Sequence, residues 1–301
     1  MAQPMKLAFI GLGNMGGPMA LNLVKAGYDV AAYDLNKDKA EPVLLAGASW
    51  AVSPAAAVTD VDIVMTSLPG PAQLEAIAFG ADNVLKGIRK GAIWIDLSTN
   101  NLGVERKIRA AAELKGVAMI DAPVSGGIEG AAAGTLAVYV GGSAAVYEKV
   151  KAVLDVIGGD VKYLGDHGAG YVAKIAQVVL CYLHTVALSE AMMLGIKGGV
   201  DADSMLKIIQ KSTGRSYVAD RYGSPMLEGT YDPGFSLGLA HKDMKLALEL
   251  AESTGAILPM CRQVEAIYAR AMEQYGAANN HLMAVKLLED QNNVYFRGKV
   301  E

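Results

Sequence analysis

The stretch "FIGLGNMGGPMALNLVKAGYDVAAYD", residues 9–34, decides the fold of the first half of the chain. Its glycines Gly11, Gly13 and Gly16 stand in GxGxxG spacing between an apolar strand pattern and a helical pattern. In such a turn the first glycine permits the bend, the second admits a pyrophosphate, and the third lets helix and strand pack closely. A second apolar strand then ends in an acid, Asp34. Together these features predict a dinucleotide-binding βαβ unit.

Asp34 indicates which dinucleotide is preferred. A carboxylate at this position accepts hydrogen bonds from the adenosine ribose hydroxyls and repels a 2′-phosphate. The residues that follow, "LNKDK" (35–39), include no arginine that would hold such a phosphate. We therefore expect NAD to be preferred over NADP; the alternative is that Asp34 only caps a turn. The turn residues expected to contact the cofactor are Gly11, Leu12, Gly13, Asn14, Met15 and Gly16.

Strand and helix patterns alternate through the first half of the chain and then stop alternating. Short apolar, β-branched runs lie at 6–11, 29–34, 61–68, 92–97, 117–122, 136–142 and 161–165. Beyond residue 166 only helical patterns remain, at 169–197, 202–212, 216–227, 240–254, 259–274 and 280–290. Alternation of this kind is typical of a largely parallel sheet. The predicted fold is α/β, a doubly wound domain (1–165) followed by an all-helical domain (166–301).

Composition narrows the function classes. The chain has 301 residues, 52% of them hydrophobic, and a net charge of −4, with no Lys/Arg run longer than two. A large core is expected, and a nucleic-acid partner is not. Cys181 and Cys261 lie apart with no CxxC pattern, so no metal site is expected. The apolar stretch 7–10 is too short for a secretory leader, and the run 175–183 is too short and polar for a membrane span. We expect a cytoplasmic protein that does not contact membranes.

One lysine stands inside an apolar helical pattern. Lys174 lies in "GAGYVAKIAQVVLCYL" (168–183), directly after a glycine-rich start. One interpretation is a surface lysine whose ammonium reaches water along an apolar stem. The other is a desolvated amine near a cationic nicotinamide, where the ammonium form is disfavoured and the amine can accept a hydroxyl proton. We favour the second, with Lys174 as general acid/base.

Four motifs in order carry a resemblance to a known family. They are "GLGNMGGPMALNLVKAG" (11–27), "DAPVSGG" (121–127), "GAGYVAK" (168–174) and "HKDMKLAL" (241–248). Together they resemble the β-hydroxyacid dehydrogenase family, which includes 3-hydroxyisobutyrate dehydrogenase and tartronate semialdehyde reductase. The resemblance implies a Rossmann domain, a long interdomain helix and a helical domain that often forms oligomers. It also implies reversible oxidation of a small carboxylate-bearing 3-hydroxy acid to its semialdehyde or 3-oxo acid, with hydride passing to a nicotinamide. The length and low charge of the helical pattern 169–197 favour a homodimer or homotetramer.

The resemblance also implies roles for single residues. Lys174 matches the catalytic lysine, and Asp243 lies at the closing edge of the site. The segment that holds the substrate carboxylate matches Ser125, Gly126 and Gly127. Cofactor contacts match Leu68, Pro69, Thr99 and Lys242. The residues alone leave alternatives open: a glycine turn chosen for backbone freedom at 125–127, a helix N-cap at Thr99 and a solvated lysine at Lys242.

Two positions bear on the substrate. The family usually has an asparagine three or four residues after the lysine, whereas this chain has Gln177 and Val178 there. Gln177 shares a helix face with Lys174 and supplies an amide one methylene further out, so we expect it to contact substrate. Arg215, in the predicted loop "KSTGRSY" (211–217), suits a second carboxylate. The alternative for Arg215 is an ordinary exposed loop arginine.

Two other functions are compatible with the same architecture. An imine reductase shares it but usually carries Asp or Tyr at the position of Lys174, so the lysine argues against that activity. A non-catalytic dinucleotide sensor would have no need of the lysine. The prediction is an enzyme acting on a CH–OH group.

Overall fold

The first half of the chain forms one sheet with helices on both faces. The computed structural model describes residues 5–232 and 234–297. Its strands there are β1 (Lys6–Ile10), β2 (Asp29–Tyr33), β3 (Ser49–Trp50), β4 (Ile63–Thr66), β5 (Ile93–Asp96), β6 (Ala118–Asp121), β7 (Val124–Ser125), β8 (Leu136–Gly141) and β9 (Gly158–Gly165). The helices of this half are α1 (Gly16–Lys25), α2 (Glu41–Leu45), α3 (Pro54–Ala57), α4 (Pro71–Phe79), α5 (Val84–Gly87), α6 (Leu102–Glu113), α7 (Gly127–Ala133) and α8 (Ala144–Ile157).

The strand order is that of a doubly wound sheet. It runs β3–β2–β1–β4–β5–β6, and every neighbouring pair in this series is parallel. Strand β8 extends the sheet antiparallel to β6 and β7, and β9 pairs parallel with β8. The predicted fold class is confirmed. Strands β3 and β7, two residues each, were not predicted because so short a strand has no readable alternation.

Each central strand supplies two cores. In β1, Leu7 and Phe9 lie in one apolar cluster while Ala8 and Ile10 lie in the other. Successive strand side chains point to opposite faces, so a strand covered on both sides is apolar throughout. Because the strands β1 to β6 of the central series are parallel, their carboxyl ends meet at one edge of the sheet, and the loops that follow them lie there together.

The second half of the chain is helical, as predicted. Its helices are α9 (Ala169–Lys197), α10 (Ala202–Gln210), α11 (Tyr217–Glu228), α12 (Leu237–Thr254), α13 (Pro259–Tyr275) and α14 (Met283–Asn292). On α9 a stripe at helical spacing lies in a core shared with α12 and α13, namely Ile175, Val179, Tyr182 and Val186. Further along α9, Leu188 and Met192 belong to another core. Within the part of the chain that the structure describes, the only β pairing after Gly165 is an isolated bridge, Ser236 to Asn280.

The chain divides into two compact units, Met1–Lys174 and Ile175–Glu301. The division falls inside α9, whereas the boundary drawn from the change of pattern lies at residue 165. Residues 1–4 and 298–301, the ends of the predicted domains and part of the stretch used to judge a leader, lie outside the described residues.

Helix α9 also bears on the expectation of no membrane span. At 29 residues it is long and apolar enough to cross a membrane by length and composition alone, so the expectation drawn from 175–183 considered too short a run. Inside the protein, 44% of its most apolar window is buried. The core helix of a folded protein passes the same test of length and composition.

Candidate active site

The three glycines of the first turn have different surroundings. A Cβ on Gly11, whose φ is +95°, would lie 2.2 Å from the Ser67 carbonyl oxygen, and a Cβ on Gly16 would lie 1.9 Å from the Gly11 carbonyl oxygen. Packing within the protein therefore requires both glycines. A Cβ on Gly13 would meet nothing within 4 Å. The open space beside Gly13 lets a ligand approach the backbone closely.

Asp34, at the end of β2, binds this turn. Its Oδ2 accepts a hydrogen bond from the Leu12 N–H (2.7 Å), and its Oδ1 accepts one from the Asn36 N–H (2.9 Å). Lys39 Nζ lies 3.9 Å from Oδ1. Asp34 thus caps its own turn, as the alternative held, but it also fixes the glycine turn. Each carboxylate oxygen retains a second lone pair for another donor.

These residues fit a dinucleotide. Helix α1 begins at Gly16, and in the described chain no side chain caps its first N–H groups. Such groups bind a phosphate through their hydrogens and the helix dipole. Open space at Gly13, amide donors at the helix start and an acid beside the turn are the features that a pyrophosphate and a ribose require. The turn is a binding site for NAD or NADP.

The loops after β4 and β5 lie beside the turn. The Leu68 N–H donates to Ser98 Oγ at 2.9 Å, and a Cβ on Gly11 would lie 3.0 Å from Leu68 Cδ2; Pro69 follows and is exposed. Thr99 is half-buried in the loop after β5. The alternative reading of Thr99 as a helix N-cap is wrong, because Asn101 caps α6 by accepting from the Val104 N–H at 2.8 Å.

The segment 125–127 follows β6 and has unusual backbone angles. Ser125 is half-buried in β7, while Gly126 has φ +134° and Gly127 has φ +70°. Side chains with a Cβ rarely adopt these angles, so glycine is required here for the backbone alone. The alternative interpretation, that these glycines are present for backbone freedom, therefore holds. It does not exclude the binding role, because an anion could still bind the Ser125 hydroxyl and the neighbouring amides.

Two buried carboxylates, Asp96 and Asp121, were not singled out from the sequence. Asp96 ends β5, and its Oδ1 accepts from Thr66 Oγ1 (2.6 Å) and Ser98 Oγ (2.7 Å). Its Oδ2 accepts from the Tyr171 hydroxyl at 2.5 Å. Burial raises the pKa of Asp96, and these hydrogen bonds oppose the rise. The available signal was an acid closing an otherwise apolar strand, "IWID".

Asp121 closes β6 in the same way and binds the start of α9. Its Oδ1 accepts from the Gly168 N–H at 2.8 Å and its Oδ2 from the Tyr171 N–H at 3.1 Å. Burial raises the pKa of Asp121, and the backbone donors oppose the rise. A Cβ on Gly170 would lie 2.2 Å from the Tyr139 carbonyl oxygen. The "GAG" start of α9 thus meets a packing requirement at the edge of the sheet.

Lys174 follows this start by one helical turn. Its relative exposure is 9%, which is too little for a surface lysine whose ammonium extends into water. Burial of an ammonium is unfavourable unless other groups compensate. The geometry therefore agrees with a lysine held inside a site.

The remaining candidate residues belong to the unit Ile175–Glu301. Lys242 Nζ lies 2.8 Å from Asp243 Oδ1, and Asp243 Oδ2 accepts from the Tyr182 hydroxyl at 2.7 Å. Lys242 is thus a half-buried ion-pair partner rather than a fully solvated lysine. Burial and the Asp243 carboxylate hold the pKa of Tyr182 well above its ordinary value. Gln177 is half-buried on α9, and Arg215 is exposed and paired with Asp220 at 2.9 Å.

Two family descriptions match consecutive parts of the chain. The family described as the NAD binding domain of 6-phosphogluconate dehydrogenase matches residues 6–165. The family described as "NAD-binding of NADP-dependent 3-hydroxyisobutyrate dehydrogenase" matches residues 168–288. The two matches cover both units of the structure.

Similar proteins match over nearly the whole length. The 2-(hydroxymethyl)glutarate dehydrogenase of Eubacterium barkeri is 38% identical over 99% of both chains. The NAD-dependent L-serine dehydrogenase of Pseudomonas aeruginosa is 36% identical over 94% of this chain and 98% of its own. The structure of Mycobacterium tuberculosis 3-hydroxyisobutyrate dehydrogenase with L-serine has a TM-score of 0.84 at 33% identity, over 95% of this chain and 99% of its own. On these matches, the chain belongs to the β-hydroxyacid dehydrogenase family.

Proposed function

We propose that this protein is an NAD-dependent dehydrogenase that interconverts a 3-hydroxy acid and its semialdehyde or 3-oxo acid. The observation that carries the proposal is the buried Lys174 on a helix whose start is bound to the same sheet edge as the dinucleotide turn. A binding protein for dinucleotides has no use for a buried amine at this place. A proton-transfer enzyme needs one.

In the proposed chemistry, the hydride and the proton are transferred by different groups. A nicotinamide dinucleotide held at the glycine turn and Asp34 would supply the hydride chemistry. Lys174 Nζ takes the hydroxyl proton during oxidation and returns it to the carbonyl oxygen during reduction, which is general acid–base catalysis. Ser125, with the amides of Gly126 and Gly127, would hold the substrate carboxylate, and Gln177 would orient the reacting carbon beside Lys174.

The cofactor preference is a finer proposal than the site itself. We propose NAD over NADP, since a 2′-phosphate at the ribose would lie against the Asp34 carboxylate. Leu68, Pro69 and Thr99 would line the cofactor along the sheet edge. Lys242, held by its ion pair with Asp243, would be a further cofactor contact.

The substrate class follows from the chemistry that the relatives' names share. Serine, 3-hydroxyisobutyrate and 2-(hydroxymethyl)glutarate each carry a hydroxymethyl group on the carbon next to a carboxylate. We propose a substrate with this arrangement. Arg215 would select a second carboxylate after exchanging its present partner, Asp220.

Assembly and location are proposed separately. One face of α9 is exposed and mostly apolar over about five turns, comprising Ala176, Leu180, His184, Ala187, Ala191 and Leu194. Such a face favours association with a second copy, and we propose a homodimer or homotetramer. We also propose a cytoplasmic location, because neither Cys181 nor Cys261 is in a disulfide, as is usual for proteins of that reducing compartment. Recovery of the activity in the membrane fraction of lysed cells would contradict that location.

The test is a panel of hydroxy acids with NAD at alkaline pH, followed by the best substrate in both directions. Lys174→Ala should lower kcat about 10²–10⁴-fold with NAD affinity unchanged. The matched control is Lys151→Ala, which removes an exposed lysine paired with Asp155 on α8 and should keep full activity. Full activity in Lys174→Ala would refute the mechanism. No NAD-linked activity on any acid, with imines reduced instead, would favour an imine reductase.

A further inference from the structure

The first turn of α9 is held by two buried carboxylates from two different strands. Asp121 at the end of β6 accepts the N–H groups of Gly168 and Tyr171. These belong to the amides at a helix start, which have no partner within the helix. A carboxylate there also faces the positive end of the helix dipole. Asp121 therefore fixes where α9 begins.

The second carboxylate fixes how α9 is rotated. The Tyr171 hydroxyl donates to Asp96 Oδ2 at 2.5 Å. Asp96 is itself immobilised by Thr66 and Ser98 on its other oxygen, and by Asn100 at 3.4 Å. Because Tyr171 is fully buried and bound at both its amide and its hydroxyl, the helix cannot turn about its axis without breaking one of these bonds.

Lys174 lies three residues beyond Tyr171. Three residues are less than one turn, about 4.5 Å along the axis, and place both side chains on neighbouring parts of one face. A slip by one residue would rotate the lysine by about 100°. Fixing residues 168–171 therefore fixes the direction from which the ammonium or amine of Lys174 enters the site.

Holding a helix with two buried carboxylates is unfavourable in free energy unless their hydrogen bonds compensate. Asp96 is 0% exposed and Asp121 is 1% exposed, and burial raises the pKa of each carboxyl. A polar group removed from water is unfavourable unless it is fully hydrogen-bonded. These hydrogen bonds tie two amides and one hydroxyl of the start of α9 to fixed carboxylates of the sheet, which specifies both the register and the rotation of the helix. The arrangement suits a need for angular accuracy.

We infer that Tyr171, bound to Asp96, and Asp121, bound to the first amides of α9, are positioning residues for Lys174. The inference rests on the proposed function, in which Lys174 transfers the proton. Neither carboxylate contacts the reacting atoms in this scheme; both act through the lysine. A misplacement of a catalytic group by about 1 Å lowers a rate by up to about 10²-fold.

A double-mutant cycle separates positioning from stability. Tyr171→Phe keeps the buried ring and removes only the hydroxyl that binds Asp96. With the best hydroxy acid and NAD at saturation, it should lower kcat about 10–100-fold while the dissociation constant for NADH, from a fluorescence titration, stays within about twofold. In the Lys174→Ala background the same change should alter kcat by less than about twofold.

The matched control is Tyr231→Phe in the other unit. Tyr231 is also buried, and its hydroxyl also binds a buried carboxylate, that of Glu289. Its removal should destabilise the fold to a similar extent and leave kcat within about twofold in both backgrounds. Equal losses from Tyr171→Phe with and without Lys174 would overturn the inference, as would no loss at all. Full activity in Lys174→Ala would instead overturn the proposed function, and the inference with it.

A conservative pair tests the hydrogen bond directly. Asp96→Asn keeps an acceptor for the Tyr171 hydroxyl, since the hydroxyls of Thr66 and Ser98 can rotate to accept from the new amide. Asp96→Ala removes the acceptor. We expect Asp96→Asn to retain at least about tenfold more kcat than Asp96→Ala. Equal kcat in the two variants would show that the Asp96–Tyr171 bond does not position the lysine.

Discussion

The glycine turn allows folding and binding to be separated by two nearly identical substitutions. A Cβ at Gly16 would lie 1.9 Å from a backbone oxygen, whereas a Cβ at Gly13 would meet no protein atom within 4 Å. Gly16→Ala is therefore expected to destabilise the protein, and Gly13→Ala is not. Cofactor affinity is expected to fall in Gly13→Ala rather than in Gly16→Ala, because the space beside Gly13 is where the pyrophosphate would lie.

The two substitutions are expected to change the free energy of unfolding in opposite directions. Forcing a methyl group against the Gly11 carbonyl oxygen costs about 1–3 kcal/mol of unfolding free energy. Gly13 is not among the described glycines with a left-handed φ, so alanine there is expected to restrict the unfolded chain and add about 0.4–1 kcal/mol of stability. A methyl group overlapping a bound pyrophosphate by a similar steric penalty would weaken NAD binding about 5–150-fold.

Two assays on the same preparations decide the matter. Urea unfolding gives the stability of the wild type, Gly13→Ala and Gly16→Ala, and calorimetric titration with NADH gives the dissociation constants. Unchanged NADH affinity in Gly13→Ala would show that no ligand approaches the backbone there. Unchanged stability in Gly16→Ala would show that the helix is not packed against the turn as described.

Three further outcomes are expected. Wild-type kcat/KM should favour NAD over NADP by at least about tenfold, or about 1.4 kcal/mol, and Asp34→Asn should narrow that ratio; an unchanged ratio in the variant would assign the selectivity to another residue. Burial lowers the pKa of His281 from 6.5 to about 3, so below pH 6.5 the unfolded state takes up a proton that the folded state refuses, and stability falls with pH. Between pH 7.5 and 5 the wild type should lose about 2 kcal/mol more unfolding free energy than His281→Phe, from about 1.4 kcal/mol per pH unit over the 1.5 units below 6.5; parallel losses in urea titrations would contradict the burial of a neutral imidazole. Leu180→Lys, in the middle of the exposed face of α9, should reduce the mass measured by light scattering at micromolar concentration; a wild-type monomer would remove the basis for the proposed assembly.

The sheet and the dinucleotide turn were predictable because their sequence signals are local. Gly11, Gly13, Gly16 and Asp34 lie within one βαβ unit, and two short apolar runs with one period-3.6 pattern between them locate these residues. The helical second half was equally readable from periodicity. Strand β7 was not, since two residues have no period and its pairing with β8 is set by tertiary contacts.

The buried anchors of α9 were not predictable for a different reason. Asp96 and Asp121 are far in sequence from Tyr171, which hydrogen-bonds to both. An acid at the end of an apolar strand reads equally well as an exposed loop residue, and only the fold shows that a helix begins above it. The partner of Arg215 was not predictable either. The sequence shows only an arginine in a predicted loop, whereas the structure pairs it with Asp220.

A glycine in a functional motif is required either by packing within the protein or by the close approach of a ligand, and the structure distinguishes these two reasons. At Gly11, Gly16 and Gly170 a Cβ would collide with a backbone oxygen of the protein itself, so these positions would require glycine even if no ligand ever bound. At Gly13 nothing in the protein demands it. Folding alone would favour alanine there, because alanine restricts the unfolded chain. The glycine that the fold does not need is therefore the one that indicates a ligand, and the empty space beside Gly13 is stronger support for dinucleotide binding than the spacing of the three glycines.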